Sequence, residues 1–247
     1  MRQKFGDFFQ DHYPALTPFV ETQARTDFKA ARAYAISLLD IHDTATGARA
    51  GRPPIQYEAL KRSALILAVT AWESFVEDTV QQQLEFQLNL AASPSSVQSV
   101  FNRVANEWLS SDEPKRLTDK LINWTGDSWK NFVRASLTAK LEKFHTPNTE
   151  NVDNLIERYL GHKAISKSWS WQGVSNIKAK KELDALIKVR GRAVHRGMRM
   201  HPMSQPEKTM KRQTVVHALN LIYNLVDSTE KTLNIAPKLV PTQPPPP

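Results

Sequence analysis

The chain is expected to be all-α, and three observations carry that expectation. Glycine is scarce, with eight in 247 residues. Alternation at period two is nearly absent, and apolar residues recur three or four positions apart over long spans. The segment "PFVETQARTDFKAARAYAISLLDIH" predicts a first long helix, closed by the Gly and Pro breakers of "DTATGARAGRPP". Next, "QYEALKRSALILAVTAWESFVEDTVQQQLEFQLNLAA" sets Leu60, Ala64, Leu67, Ala71, Phe75 and Leu84 near one stripe, which predicts a central buried helix.

The middle of the chain is choppier. "SPSSVQSVFNRVANEWL", "DEPKRLTDKLINW" and "GDSWKNFVRASLTAKLEKF" each begin at a Ser, Asp or Pro signal and predict short helices around the long one. "HTPNTENVDNLIERYLGH" offers Asn148 or Thr149 as a cap, with Leu155, Ile156, Tyr159 and Leu160 as its apolar face. "NIKAKKELDALIKVRGRAVH" predicts a further helix. "PEKTMKRQTVVHALNLIYNLVDSTEKTLN" predicts the last, with Val215, Leu219, Ile222, Leu225 or Val226, and Leu233 facing inward. The proline-rich "APKLVPTQPPPP" has only an extended form open to it. No repeat of fixed length is visible.

Composition narrows the chemistry. Apolar residues make up 40% and charged residues 23% of the chain, an ordinary globular balance. Cysteine is absent, which removes disulfides, thiolate nucleophiles and cysteine metal sites together. No apolar run approaches the roughly 18 residues of a membrane span, and acids and a proline interrupt the N-terminal stretch before a signal-peptide core can form. A soluble, cytoplasmic protein with no membrane partner is expected. The net charge is +8, but thirteen Lys or Arg against three acids between Lys163 and Arg212 give that region +10 and leave −2 elsewhere. A basic face so confined suits phosphate binding, because neutralising phosphates releases counterions. The plain alternative is a solvated surface.

Within that region "RGRAVHRGMRMH" repeats Arg-Gly-x-x-x-His, at Arg190 to His195 and at Arg196 to His201. Five residues along a helix advance about 7.5 Å and turn roughly 140°, so Arg190 and His195 do not stack; a long arginine side chain can still swing back, letting both groups meet one phosphate. A guanidinium is a permanent cation, whereas an imidazole exchanges protons near neutrality. The plain reading of the same spacing is a basic C-terminal cap that complements the helix dipole. The second copy is read as incidental: Gly197 is placed to end the helix, and Pro202 turns His201 away from helical geometry. Lys188, Arg192, Arg196 and Arg199 remain as candidate phosphate contacts.

"ALKRSALILAVTAWESFVEDTV", then "FHTPNTENVDNLIERYLGHKAISKSWSW", then "LDALIKVRGRAVHRG" resemble in content and order the HEPN superfamily, in particular its RiboL-PSP-HEPN branch. The resemblance spans roughly 60–197 and continues weakly through the last helix. It implies a HEPN-like helical bundle over 1–235, carrying additional short helices and an N-terminal extension at 1–15, with a Pro-rich tail at 236–247. It also implies a homodimeric, metal-independent endoribonuclease without a cofactor. There His195 takes the proton of a ribose 2′-OH, and Arg190 stabilises the charge growing on the phosphorane. Toxin or phage-defence roles, with an antitoxin or another defence protein as partner, come with that resemblance.

Two positions depart from the family's pattern. Gly191 stands where a polar residue usually follows the arginine, and Gly197 replaces a tyrosine found in a related toxin group. Gly191 favours the alternative of a catalytically silent module that binds RNA or protein. A third alternative is a plain helical interaction protein that presents its Pro-rich tail to a partner. Trp72, Phe75, Trp169 and Trp171 are expected in the core, with base stacking by the last two as the rival. Glu73 is expected on the surface or in a polar network, with reach toward the motif histidine as the rival. His12, His42, His145, His162 and His217 are scattered, with no metal-site spacing.

Overall fold

The computed structural model describes residues 22–47, 57–109, 126–197 and 210–233, with only the backbone of 107–109 and 195–197. Seven α-helices lie among the described residues: α1 Gln23–Thr46, α2 Glu58–Leu90, α3 Gln98–Leu109, α4 Ser128–Leu141, α5 Thr149–Leu160, α6 Asn176–Gly197 and α7 Arg212–Leu233. Two 3-10 turns, Pro94–Val97 and Ile165–Ser168, lead into α3 and follow α5. No named strand occurs among the described residues; Trp171 and Val174 form one isolated bridge. The expected all-α class holds. The expected N-terminal extension, the short helix over 112–124, the part of the second hexad after Gly197 and the Pro-rich tail lie outside the described residues.

Helix α2 organises the rest. Ala64, Leu65, Ala68, Val69, Ala71, Trp72, Phe75, Val76, Val80, Leu84 and Leu88 along it are all buried. Two of the residues expected to face inward behave otherwise: Leu60 is half-buried, and Leu67 is exposed. The expected stripe was centred to one side. The buried midline runs through Leu65, Ala68, Trp72, Val76 and Thr79, which leaves Leu67 roughly 140° away, toward solvent.

Around Trp72 the core is aromatic. Its ring centroid lies 5.9 Å from Phe75 and 5.8 Å from Trp169, and Phe75 meets Phe28 of α1 at 5.9 Å. A buried indole N–H costs stability unless it finds an acceptor. Trp72 Nε1 donates to the Pro147 carbonyl at 3.0 Å, and Trp169 Nε1 to Thr229 Oγ1 at 3.0 Å. Trp169 is thus core, as expected, while Trp171 is half-buried against it. In α7, Val215, Leu219, Ile222, Leu225 and Val226 all face inward, and Leu233 packs at the edge.

Polar clamps fix the helix ends. The start of α1 is tied to the end of α7 by Thr22 Oγ1 to Glu230 Oε1 at 2.8 Å and by Arg25 to Glu230 at 3.2 Å. At the opposite ends of these helices, Arg212 binds Asp43 at 2.6–2.8 Å. Buried Lys61 donates to the Met210 carbonyl at 2.7 Å, and the Met210 N–H donates to Glu58 at 2.6 Å. Together these contacts hold the chain where it re-enters the bundle after α6.

Candidate functional site around Arg190

Helix α6 presents two different faces. Ala179, Leu183, Leu186 and Ile187 are buried against the bundle, whereas Lys181, Ala185, Lys188 and Arg192 form an exposed stripe. Lys188 and Arg192 are exposed and make no ion pair among the described residues. Arg190 sits roughly 200° around the axis from Lys188 and turns toward α2 instead. The sequence-level candidates therefore divide: Lys188 and Arg192 share the solvent face, and Arg190 occupies a separate niche. His195 and Arg196 lie in α6, but their side chains fall outside the described residues, as does Arg199 entirely.

Three elements build the niche. From α6, Arg190 Nη2 approaches Glu73 Oε2 of α2 at 3.5 Å, with side-chain exposures of 26% and 14%. Its Nη1 donates to the His145 carbonyl at 3.4 Å, in the segment between α4 and α5. The Arg190 Nε is buried and has no hydrogen-bond partner among the described residues, and Glu73 Oε2 likewise accepts no hydrogen bond there, its long ion pair with Arg190 apart. Expected on the surface or in a polar network, Glu73 proves to be the arginine's acidic neighbour.

The segment carrying His145 is pinned on both sides. Phe144 and Pro147 are buried, and Trp72 takes the Pro147 carbonyl. Asn148, one of the two expected caps, accepts from the Asn151 N–H at 2.9 Å, and Asn151 Nδ2 donates to the Thr146 carbonyl at 2.7 Å. From α6, Asp184 accepts from the Thr149 N–H at 2.9 Å. His145 itself is exposed between these anchors. The "HTPN" stretch therefore does two jobs: it caps α5 and supplies a carbonyl to the motif arginine.

The electrostatics match the geometry. Burial pushes the Glu73 carboxyl above its ordinary range, while the positive charges of Arg190 and then His145 pull it back down. One turn further along α2, Glu77 is pushed up to about 7 by burial, with repulsion from Glu73 and Asp78 added. Two acids and an arginine thus share a partly desolvated patch. Neither Glu77 nor the role of His145 was visible in sequence; the i, i+4 spacing of Glu73 and Glu77 on one helix was the available signal. Among the described residues no group of three or more His, Asp or Glu is placed to hold a metal ion.

Other features lie elsewhere. A shallow groove of about 370 Å³, lined by Gln87, Leu90, Ala91, Ser96, Val97, Ser99, Val100 and Leu160, opens near the far end of α2. Gln87 is fourteen positions beyond Glu73, roughly 21 Å along the axis. No helix among the described residues is long and apolar enough to cross a membrane.

A family model described as RiboL-PSP-HEPN matches residues 30–234. The match runs beyond the span of the local resemblance at both ends and takes in most of α1 and all of α7. No curated protein and no solved structure matches the chain.

Proposed function

Because the chain belongs to the RiboL-PSP-HEPN family, we propose that it is an endoribonuclease that cleaves RNA by 2′-OH transesterification without a metal cofactor, acting as a homodimer in the cytoplasm. His195 withdraws the ribose 2′-OH proton. The 2′-oxygen attacks the adjacent phosphorus, and Arg190 stabilises the phosphorane oxygens, leaving a 2′,3′-cyclic phosphate and a 5′-OH end. Lys188, Arg192, Arg196 and Arg199 hold neighbouring phosphates. A toxin or phage-defence role, with a neutralising partner, fits this activity.

One observation carries the reading. The motif arginine is held by long contacts to Glu73 and the His145 carbonyl, and its Nε has no hydrogen-bond partner among the described residues. Buried guanidinium N–H groups normally find acceptors, so this one retains donor capacity for an anion. A catalytically silent, RNA-binding module is the second reading. It is favoured by Gly191, which places no side chain beside the arginine where the family usually carries a polar one.

The test is incubation of the protein with RNA in excess EDTA, beside Arg190→Ala and His195→Ala variants. Wild type is expected to release cyclic phosphate ends, with each variant slower by on the order of 10² or more. RNA binding without cleavage by wild type supports the silent module and removes the enzyme.

A further inference from the structure

Transesterification moves two protons, one off the attacking 2′-oxygen and one onto the departing 5′-oxygen, and in-line displacement puts these events on opposite sides of phosphorus. One imidazole does not serve both sides in a single step. Within α6, position 195 lies roughly 140° around the axis from position 190. A second proton-transfer group, on the side of phosphorus opposite the base, completes such a step.

Among the described histidines, His145 alone touches the motif arginine. Arg190 Nη1 donates to its carbonyl at 3.4 Å. Covalent geometry keeps an imidazole within one side-chain length of its own carbonyl, which places the His145 ring in the neighbourhood of that guanidinium. Glu73 is the neighbour common to both residues: Arg190 lies 3.5 Å away, and the positive charge of His145 also acts on its carboxyl. His145 is exposed, and its flanking residues are anchored by Trp72, Asn151 and Asp184. The site is therefore preorganised at the backbone and open at the side chain.

The other histidines are placed differently. His42 is buried against Asp43 at the end of α1. His217 faces Glu182 at 3.2 Å, two turns of α6 before Arg190. His162 follows α5 at its far end from the "HTPN" segment.

We propose that His145 is the general acid of the cleavage, an assignment that rests on the ribonuclease reading above. His195 accepts the 2′-OH proton as the 2′-oxygen forms its bond to phosphorus. The bond from phosphorus to O5′ breaks, and the imidazolium of His145 gives its proton to O5′. The products are a 2′,3′-cyclic phosphate and a 5′-OH. Both histidines return to their starting states by exchange with water, so no oxidant, metal or second substrate enters the balance.

A bridging 5′-sulfur tests this directly, because a thiolate departs without being protonated. The linkage that wild type cleaves in a randomised oligoribonucleotide is resynthesised with that sulfur, and both substrates are given to wild type, His145→Ala, His145→Gln, His195→Ala and the control His217→Ala. The assignment expects both His145 variants to cleave the oxygen substrate at least 10²-fold more slowly and the sulfur substrate at close to the wild-type rate. His195→Ala is slow on both, and His217→Ala is normal on both. Thermal midpoints matching wild type establish that the His145 variants are folded. Normal cleavage of the oxygen substrate by the His145 variants, or equal loss on both substrates, overturns the general-acid role and leaves the ribonuclease standing. Absence of cleavage by wild type overturns the ribonuclease reading itself.

Discussion

Two Glu–Arg pairs that tie helix α2 to other helices lie twelve positions apart along it, and they are built in opposite ways. Near its C-terminal end Glu85 grips Arg134 of α4 in a bidentate fork, Nε to Oε1 at 2.8 Å and Nη2 to Oε2 at 3.0 Å, with a third bond from Nη1 to Asn131 at 3.0 Å. Nearer the middle, Glu73 meets Arg190 through a single contact at 3.5 Å, and Arg190 Nε has no hydrogen-bond partner among the described residues. The looser pair is also the less exposed: Glu73 is 14% exposed against 39% for Glu85. Electrostatics alone argues the reverse, since removing charge from water demands closer pairing in return. A guanidinium that is partly buried and underused is what an anion-binding site needs before its ligand arrives; one already saturated by a carboxylate fork serves only to hold two helices together.

The largest test of that contrast removes each arginine in turn. Arg190→Ala is expected to lower RNA cleavage by on the order of 10² to 10³, and Arg190→Lys does not restore it, because an ammonium lacks the planar fork. Arg134→Ala is expected to leave cleavage unchanged and to shift unfolding stability by no more than about 1 kcal/mol, the usual worth of a solvated pair. Equal losses from the two substitutions remove the distinction. The carboxylates come next. Glu73→Gln keeps the shape of the side chain but releases the arginine, and cleavage is expected to fall roughly 10-fold through misplacement while RNA affinity is undiminished. Glu85→Gln leaves both quantities as they were. A Glu73→Gln enzyme that cleaves as wild type does shows that Glu73 has no part in positioning Arg190.

The helices that carry both pairs were open to reading from the sequence, and so were Arg190 and Glu73 as residues of interest, but neither pairing was. Apolar spacing located α2 and α7, Asn148 announced α5, and the crowding of Lys and Arg after Lys163 pointed to α6. Local rules of this sort act over a few residues. The niche does not: Arg190 meets a carbonyl 45 positions away and a carboxylate from the central helix, and only packing brings these together. Leu67 shows the same limit on a smaller scale, because periodicity tells that a helix has an apolar face but the neighbours decide where its midline falls. Glu73 stood next to Trp72 in the sequence, yet one looks into the core and the other toward α6, a difference of one residue that only a packed helix resolves.

Glu77 extends the comparison to pH. Its carboxyl is pushed up to about 7, first by burial and then by Glu73 and Asp78. In the unfolded chain it ionises near 4.5, so between that value and about 7 the native state holds the proton that the unfolded state has released. Stability contributed by this group is complete below the lower value and lost as pH rises through the upper one. Such a shift corresponds to roughly 3 kcal/mol at full strength, and allowing for solvent screening reduces this to about 1–2 kcal/mol. Glu77→Gln is therefore expected to match wild type near pH 4 and to exceed it by that amount at pH 8 in denaturant unfolding. A wild-type advantage at pH 8 means that Glu77 is well solvated and that the patch around Glu73 is wetter than described.

The smallest effect separates two causes of the loose pair. Arg134 is followed by Ala135 and Arg190 by Gly191, so the softness of a mid-helix glycine competes with the demands of a ligand site as the reason for Arg190's long contacts. Gly191 is not required by space, because a Cβ there meets nothing within 4 Å. Gly191→Ala is expected to stabilise the protein by about 0.5–1 kcal/mol, a rise of roughly 1–4 °C in thermal midpoint for a chain of this size. If helix softness alone loosens the arginine, stiffening α6 raises cleavage or leaves it unaltered. A fall in cleavage together with the rise in midpoint shows instead that the turn carrying Arg190 has to move when RNA binds, which makes the glycine part of the working site.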